Sequence, residues 1–141
     1  KRQVILNGKD QLLVEDEVME LEELRDAAIN FLDNGGGSGE DKCNYCKGAG
    51  DPKSSDNPDK AIISLKNERE TTYATYISVQ NELVAAYTSL RNQRAEELFG
   101  IPYTEMLKNY KDVNWPGSKS KLKENITQIK LEYPQKLSEV Q

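Results

Sequence analysis

The residues with the clearest chemical content are Cys43-Asn44-Tyr45-Cys46-Lys47-Gly48-Ala49-Gly50. Two thiolates separated by two residues can share one zinc ion, because the intervening turn aims both sulfurs at a common point. They are the only two cysteines in 141 residues, and there is no histidine. Without imidazole there is no Ser-His-Asp or Cys-His catalytic unit, no histidine general base and no histidine metal ligand. Three chemistries remain for the pair. Cys43 and Cys46 are free thiols or a local disulfide without catalytic purpose, ligands of zinc or another soft metal, or a thioredoxin-like redox pair. The last wants its first cysteine at a helix N-terminus beside a βαβ core, whereas loop residues follow here. A closed zinc site needs two further ligands, which a symmetric dimer would supply in trans.

The spelling C-x-x-C-x-G-x-G over residues 43–50 resembles one repeat of the zinc-binding domain of Hsp40-type chaperones. In that family such repeats are paired, and two repeats supply the four ligands of each zinc. The resemblance spans eight residues, with no second cysteine pair, no glycine- and phenylalanine-rich region and no J-domain motif, so it implies a zinc-ligand role for Cys43 and Cys46 and no chaperone activity. A cysteine pair between two helical segments also resembles, in geometry, the zinc hook of Rad50-type repair ATPases. The hook's proline is missing from this pair, and ATPase motifs are missing from this chain.

Other candidates are weaker. Lys47-Gly48-Ala49-Gly50 lacks the first glycine and the Lys-Ser/Thr of a phosphate-binding loop. Asp10 to Asp26 holds eight acidic residues and one basic residue, Arg25. Without EF-hand spacing these acids read as a solvated face, or as an acidic patch for a basic partner. Asn125-Ile126-Thr127 is a glycosylation sequon. Of seven tyrosines, Tyr73, Tyr76, Tyr87, Tyr103 and Tyr110 flank basic residues such as Arg69, Arg91, Arg94 and Lys108, and Lys119, Lys121, Lys123 and Lys130 make the last helix basic. Stacking plus charge would suit single-stranded nucleic acid; the alternative is half-buried rings whose hydroxyls reach the edge of a bundle. The net charge of −5 argues against a dedicated duplex-DNA binder. No stretch approaches the ~20 apolar residues of a membrane span.

The elements that must position these residues read as mainly α. Two apolar runs flank Asn7-Gly8, which suits a type I′ hairpin turn over residues 3–14. Glu15 to Asn34 reads as a helix with Val18, Leu21, Leu24, Ala28, Phe31 and Leu32 on one face. Residues 35–39, Gly-Gly-Gly-Ser-Gly, have the composition of a near-random coil, either a natural loop or an engineered linker. Residues 40–58 are loop. Asp59 to Phe99 contains neither Gly nor Pro and reads as one helix of about 40 residues, roughly 60 Å long. It carries two adjacent seams, Ile62, Leu65, Thr72, Tyr76, Val79, Leu83, Ala86 and Leu90 beside Ile63, Tyr73, Ile77, Val84, Tyr87 and Leu98, with Arg69, Gln93 and Glu97 as interruptions. Two shorter helices follow, Pro102 to Val113 and Lys119 to Tyr133, with Lys136 to Gln141 as a last turn. The expected organisation is a hairpin and acidic helix (1–34), a flexible Cys-bearing loop (35–58) and an open helical bundle (59–141). With Lys1 in place of Met and no tail after Gln141, both ends read as internal to a longer polypeptide.

So long a helix cannot bury its face against an 18-residue helix alone, which argues for assembly. The expectation is a non-enzymatic interaction or scaffolding module, of the kind found in viral structural proteins and in multi-protein complexes, binding a protein partner or its own copy. Its compartment is left open, with the cell interior slightly favoured over the exterior, and no membrane partner is expected. Tyr73, Tyr76, Val84, Tyr87, Leu98 and Trp115 are the candidate partner-binding residues, and Cys43 and Cys46 the zinc or crosslinking point, with zinc as the candidate cofactor. The alternative is a nucleic-acid-associated factor using Arg91, Arg94, Lys119, Lys121 and Lys123, and the third reading is a thiol redox protein.

Overall fold

Val4 and Leu6 alternate inward on the first strand, where they join the larger of two buried cores. The computed structural model describes residues 1–68 and 70–140; Arg69, named above, lies outside them. Five strands and four helices follow in the order β1 (Arg2–Leu6), β2 (Leu12–Val14), β3 (Glu17–Met19), α1 (Leu21–Leu32), β4 (Ile63–Asn67), α2 (Tyr73–Phe99), α3 (Tyr103–Lys111), α4 (Lys119–Glu132) and β5 (Leu137–Val140). The strands form one mixed sheet ordered β3-β2-β1-β4-β5. β2 and β3 are antiparallel additions, while β4 runs parallel to both β1 and β5. Parallel neighbours need long crossovers. One is built from β2, β3, α1 and the Cys loop, and the other from α2, α3 and α4.

The mainly helical reading holds only in part, since the helices share the fold with this sheet. The N-terminal hairpin forms, but its turn is wider than Asn7-Gly8 alone. Asn7 N–H bonds the Gln11 carbonyl, the Asn7 side-chain oxygen accepts from Lys9 and Gln11 N–H, and the left-handed residue is Asp10. The tight turn with two consecutive positive φ values falls at Glu15 (49°) and Asp16 (69°) between β2 and β3. The predicted helix start at Glu15 is therefore corrected to Leu21. Glu17–Met19 is a strand because pairing with β2 satisfies its backbone on one side.

The helix of about 40 residues is corrected likewise, to 27. Its first part is β4, inserted between β1 and β5 with Ile63, Ser64 and Leu65 buried. A short apolar run with two adjacent isoleucines fits strand and helix alike until its neighbours are known. Thr72 starts α2, its hydroxyl accepting from Thr75 N–H, while the Asp10 carboxylate accepts from Thr72 N–H at 2.9 Å. Gly100, at φ 77°, ends it in the left-handed conformation that favours glycine. The residues after Pro134 form β5 rather than a turn.

The helices pack as two cores in place of an open bundle. One gathers the sheet, α1 and the N-terminal part of α2 around Leu6, Leu32, Leu65 and Leu83. The other gathers the end of α2 with α3 and α4 around Ala95, Met106, Ile126 and Ile129. Different neighbours along its length cover α2, as its two seams implied.

Candidate functional site

The Cys loop is held by the end of α1. Asp33 and Asn34 follow the last helical residue, only 5% and 4% exposed. One Asp33 carboxylate oxygen accepts from the Tyr133 hydroxyl at 2.7 Å, and the other from Lys47 N–H at 3.1 Å. The Asp33 and Asn34 carbonyls accept from Gly48 and Gly50 N–H. The Asn34 amide donates to the carbonyls of Asp51 (2.8 Å) and Ser55 (2.7 Å), and its oxygen accepts from Asp51 N–H. Two adjacent side chains thus organise the backbone from Lys47 to Ser55.

The glycine run takes part in the same packing. Gly36 and Gly37 N–H donate to the carbonyls of Ser55 and Asp56. A Cβ at Gly36 would collide with the Asp51 carbonyl, and one at Gly37 with the Asp41 carbonyl. The near-random-coil expectation for 35–39 is corrected on this point: glycine is required there by the close approach of two backbones.

Around this clasp the charges and rings are paired. Tyr45 donates its hydroxyl to the Glu132 carbonyl at 2.6 Å and meets Tyr133 edge to face at 5.4 Å. The Arg94 guanidinium lies over the Tyr45 ring and donates to the Glu132 carboxylate, while Lys47 pairs with Glu97. Burial pushes the Tyr45 hydroxyl up to about 12, with the Glu132 charge adding to it. Tyr133 is raised further, by burial and then by its bond to Asp33. Burial also raises Asp33 above the ordinary carboxylate value, opposed by the Tyr133 hydroxyl and Lys47 N–H that favour its charged form.

Cys43 and Cys46 are joined as a disulfide, each partly buried. In that state neither sulfur is a thiolate, so the pair is neither a metal ligand nor a nucleophile. Among the described residues no group of three or more His, Cys, Asp or Glu side chains converges to hold a metal ion.

The candidate partner-binding residues are not brought together. Tyr73 is 78% exposed and Tyr76 half-buried, near the start of α2. Val84 is half-buried, and Tyr87 is in the first core at 1% exposure. Leu98 and Trp115 lie at the other end of α2, with Trp115 packed on the second core. Of the candidate nucleic-acid residues, three use their N–H groups within the fold. Arg91 donates to the Tyr133 carbonyl, Arg94 to Glu132, and Lys119 to the carbonyls of Asn109, Tyr110 and Asp112 that end α3. Lys121 pairs loosely with Glu124, and Lys123 is exposed.

Sequence reasoning missed the open edge of the sheet at β5. The alternation Leu137-Ser138-Glu139-Val140 after Pro134 was its signal. Among the described residues β5 pairs with β4 on one side only. Ile63 N–H bonds the Lys136 carbonyl, and this sets the phase of the parallel ladder, leaving the N–H and C=O of Leu137 and Glu139 pointing outward. Gln80 of α2 donates to Glu139, so Tyr73, Tyr76 and Gln80, one or two turns apart, share the face beside this edge.

Compared with protein-family models, curated proteins and solved structures, the chain shows no match. No helix among the described residues is long and apolar enough to cross a membrane.

Proposed function

We propose that this chain is a non-enzymatic assembly module whose interaction surface is the outer edge of β5, with a second copy as the simplest partner. The observation that carries the reading is a strand edge with outward backbone donors and acceptors at Leu137 and Glu139, flanked by the half-buried Tyr76, the exposed Tyr73 and the exposed Val140. Unpaired strand edges are templates for adding a strand, and a two-fold axis beside β5 would pair two copies through the same residues. Two of the six partner-binding residues read from the sequence fall at this edge. The opposite edge, β3, has three residues and an acidic flank, which protects it from such pairing.

Native mass spectrometry and light scattering test this. A self-associating module gives about 32 kDa at micromolar concentration, twice the 16.0 kDa chain. Glu139→Pro removes an outward donor without breaking the ladder to β4, and it returns the mass to the monomer with an unchanged far-UV spectrum. A strict monomer at all concentrations, or a dimer indifferent to Glu139→Pro, overturns the assignment to this edge.

A further inference from the structure

The far side of the sheet from β5 carries a different feature. Between α1 and the β1–β3 portion of the sheet lies a cleft of about 630 Å³, within the size range of small-molecule sites. Its walls are largely apolar, with Val14 and Met19 from the strands and Leu24, Ala27 and Phe31 from the helix. Ala27, Ala28 and the loop's Ala49 are small, which leaves the space open.

At one end stands Arg2. Its guanidinium carbon lies over the Phe31 ring, 4.8 Å from the centroid, and the group donates a single bond, to the Ser54 hydroxyl at 3.2 Å. Among the described residues no carboxylate pairs with it; Arg25 and Arg94 each have one, and Arg91, which has none, is instead used on the Tyr133 carbonyl. A guanidinium carries five N–H donors in a planar fork matched to a carboxylate, and most of these are unused. The ring beneath it and the Ser54 bond hold the fork in place. Immediately beyond Arg2 a second hollow is bordered by Lys1, Lys53 and Lys60 together with Glu15 and Asp56, and Lys60 is paired with Asp41, so cations only modestly outnumber acids at this end.

Two of the three acidic groups that line the cleft are engaged by backbone N–H groups. Glu15 accepts from Gln3 N–H and Asp51 from Lys53 N–H, while Glu17 is on the exposed β3 edge. Three carboxylates against one guanidinium disfavour a dianion such as phosphate throughout the cleft. A singly charged head at the Arg2 end and an uncharged remainder suit this distribution.

We propose that this cleft binds a monocarboxylate with a short apolar tail, its carboxylate forked on Arg2 and its tail against Val14, Met19, Leu24 and Ala27. Such a group occurs in short fatty acids and at the free C-terminus of a peptide ending in an apolar residue. The site is independent of the β5 edge, so either assignment can fail without the other.

The test is titration followed by ¹H–¹⁵N NMR on the intact chain, with hexanoate and N-acetyl-leucine as probes and their uncharged amides as controls. Ligands of this size reach a Kd of about 1 mM, with shifts concentrated on α1 and β1–β3. The acids are expected to bind at least tenfold tighter than the amides. Preference for N-acetyl-leucine assigns the peptide terminus, and preference for hexanoate the fatty acid. Arg2→Gln is expected to abolish the difference between acid and amide. Ala27→Leu, which fills the cleft from a half-buried position, weakens both acids at least tenfold. Equal binding of acid and amide, an acid preference that survives in Arg2→Gln, or no shifts at roughly ten times that Kd overturns the proposal.

Discussion

Replacing Gly36 and Gly39 by alanine, one at a time, separates two reasons for which a loop needs glycine. Gly36 has an ordinary φ but no room: an added Cβ meets the Asp51 carbonyl and comes within 2.8 Å of the Asn34 amide nitrogen. Accommodating it displaces two hydrogen bonds, Asn34 to Asp51 and Gly36 to Ser55, at about 1 kcal/mol each. Backbone shifts forced by overpacking add about 1–3 kcal/mol. The expected loss is about 3–5 kcal/mol. Gly39 is the converse, with open space around its Cβ position but a φ of 59°, and its alanine variant carries only the left-handed penalty of about 1–2 kcal/mol. Urea unfolding of both variants reads the contrast. For a urea slope near 2 kcal/mol per M, Gly36→Ala lowers the midpoint by about 1.5–2.5 M, and Gly39→Ala by about 0.5–1 M, at unchanged slope. If residues 35–39 were a free linker, neither substitution would move the midpoint. A Gly36→Ala loss equal to or smaller than that of Gly39→Ala would refute the reasoning.

Asp33 and the cysteines give two further expectations. Because burial raises Asp33 above its unfolded value of 3.8, the folded state holds more protons there between the two values, and this site's contribution to stability falls as pH rises through that window. The stability difference between the wild type and Asp33→Asn, from urea unfolding between about pH 3 and pH 7, should therefore shrink with rising pH; a difference that is flat or grows contradicts it. The Cys43–Cys46 bridge spans a sequence separation of only three residues, for which the loop-entropy model gives about 2 kcal/mol. Cys43→Ser/Cys46→Ser should cost no more than this and leave any dimer intact, since Asp33 and Asn34 hold the loop independently. Loss of the dimer in that variant would instead point to a bridge between chains through these cysteines.

How much was legible differs from element to element. α3, α4 and the C-terminal stretch of α2 were readable because capping and periodicity are local: Ser118 accepts from Lys121 N–H, and Gly100 and Pro102 mark a stop wherever the chain goes next. The helical spacing of Leu24, Ala28, Phe31 and Leu32 was equally plain. β4 and β5 were not. Ile62-Ile63 and Leu137-Ser138-Glu139-Val140 are too short for their own pattern to choose between strand and helix. The choice is made by parallel neighbours 61 residues and more away in the chain, Arg2 opposite Ile63 and Ile63 opposite Leu137. The site divides in the same way. The cysteine pair was visible as a motif, but the residues that hold its loop were not, because Asp33 meets Tyr133 across 100 residues and nothing in either local sequence announces the other.

What the sequence alone determined is the inventory: no imidazole, two cysteines in one turn, a long helix with two apolar seams, and glycines and prolines that punctuate the rest. Tertiary structure decided what these are for. A seam is an interface only if nothing in the same chain covers it, and the same chain buries Val79, Leu83, Ala86, Tyr87, Leu90 and Ala95 of α2. A glycine run is a linker only if nothing packs against it, and here Asp51 and Asp41 do. Where burial and pairing are nonlocal, composition sets the limits and only the fold assigns the partners.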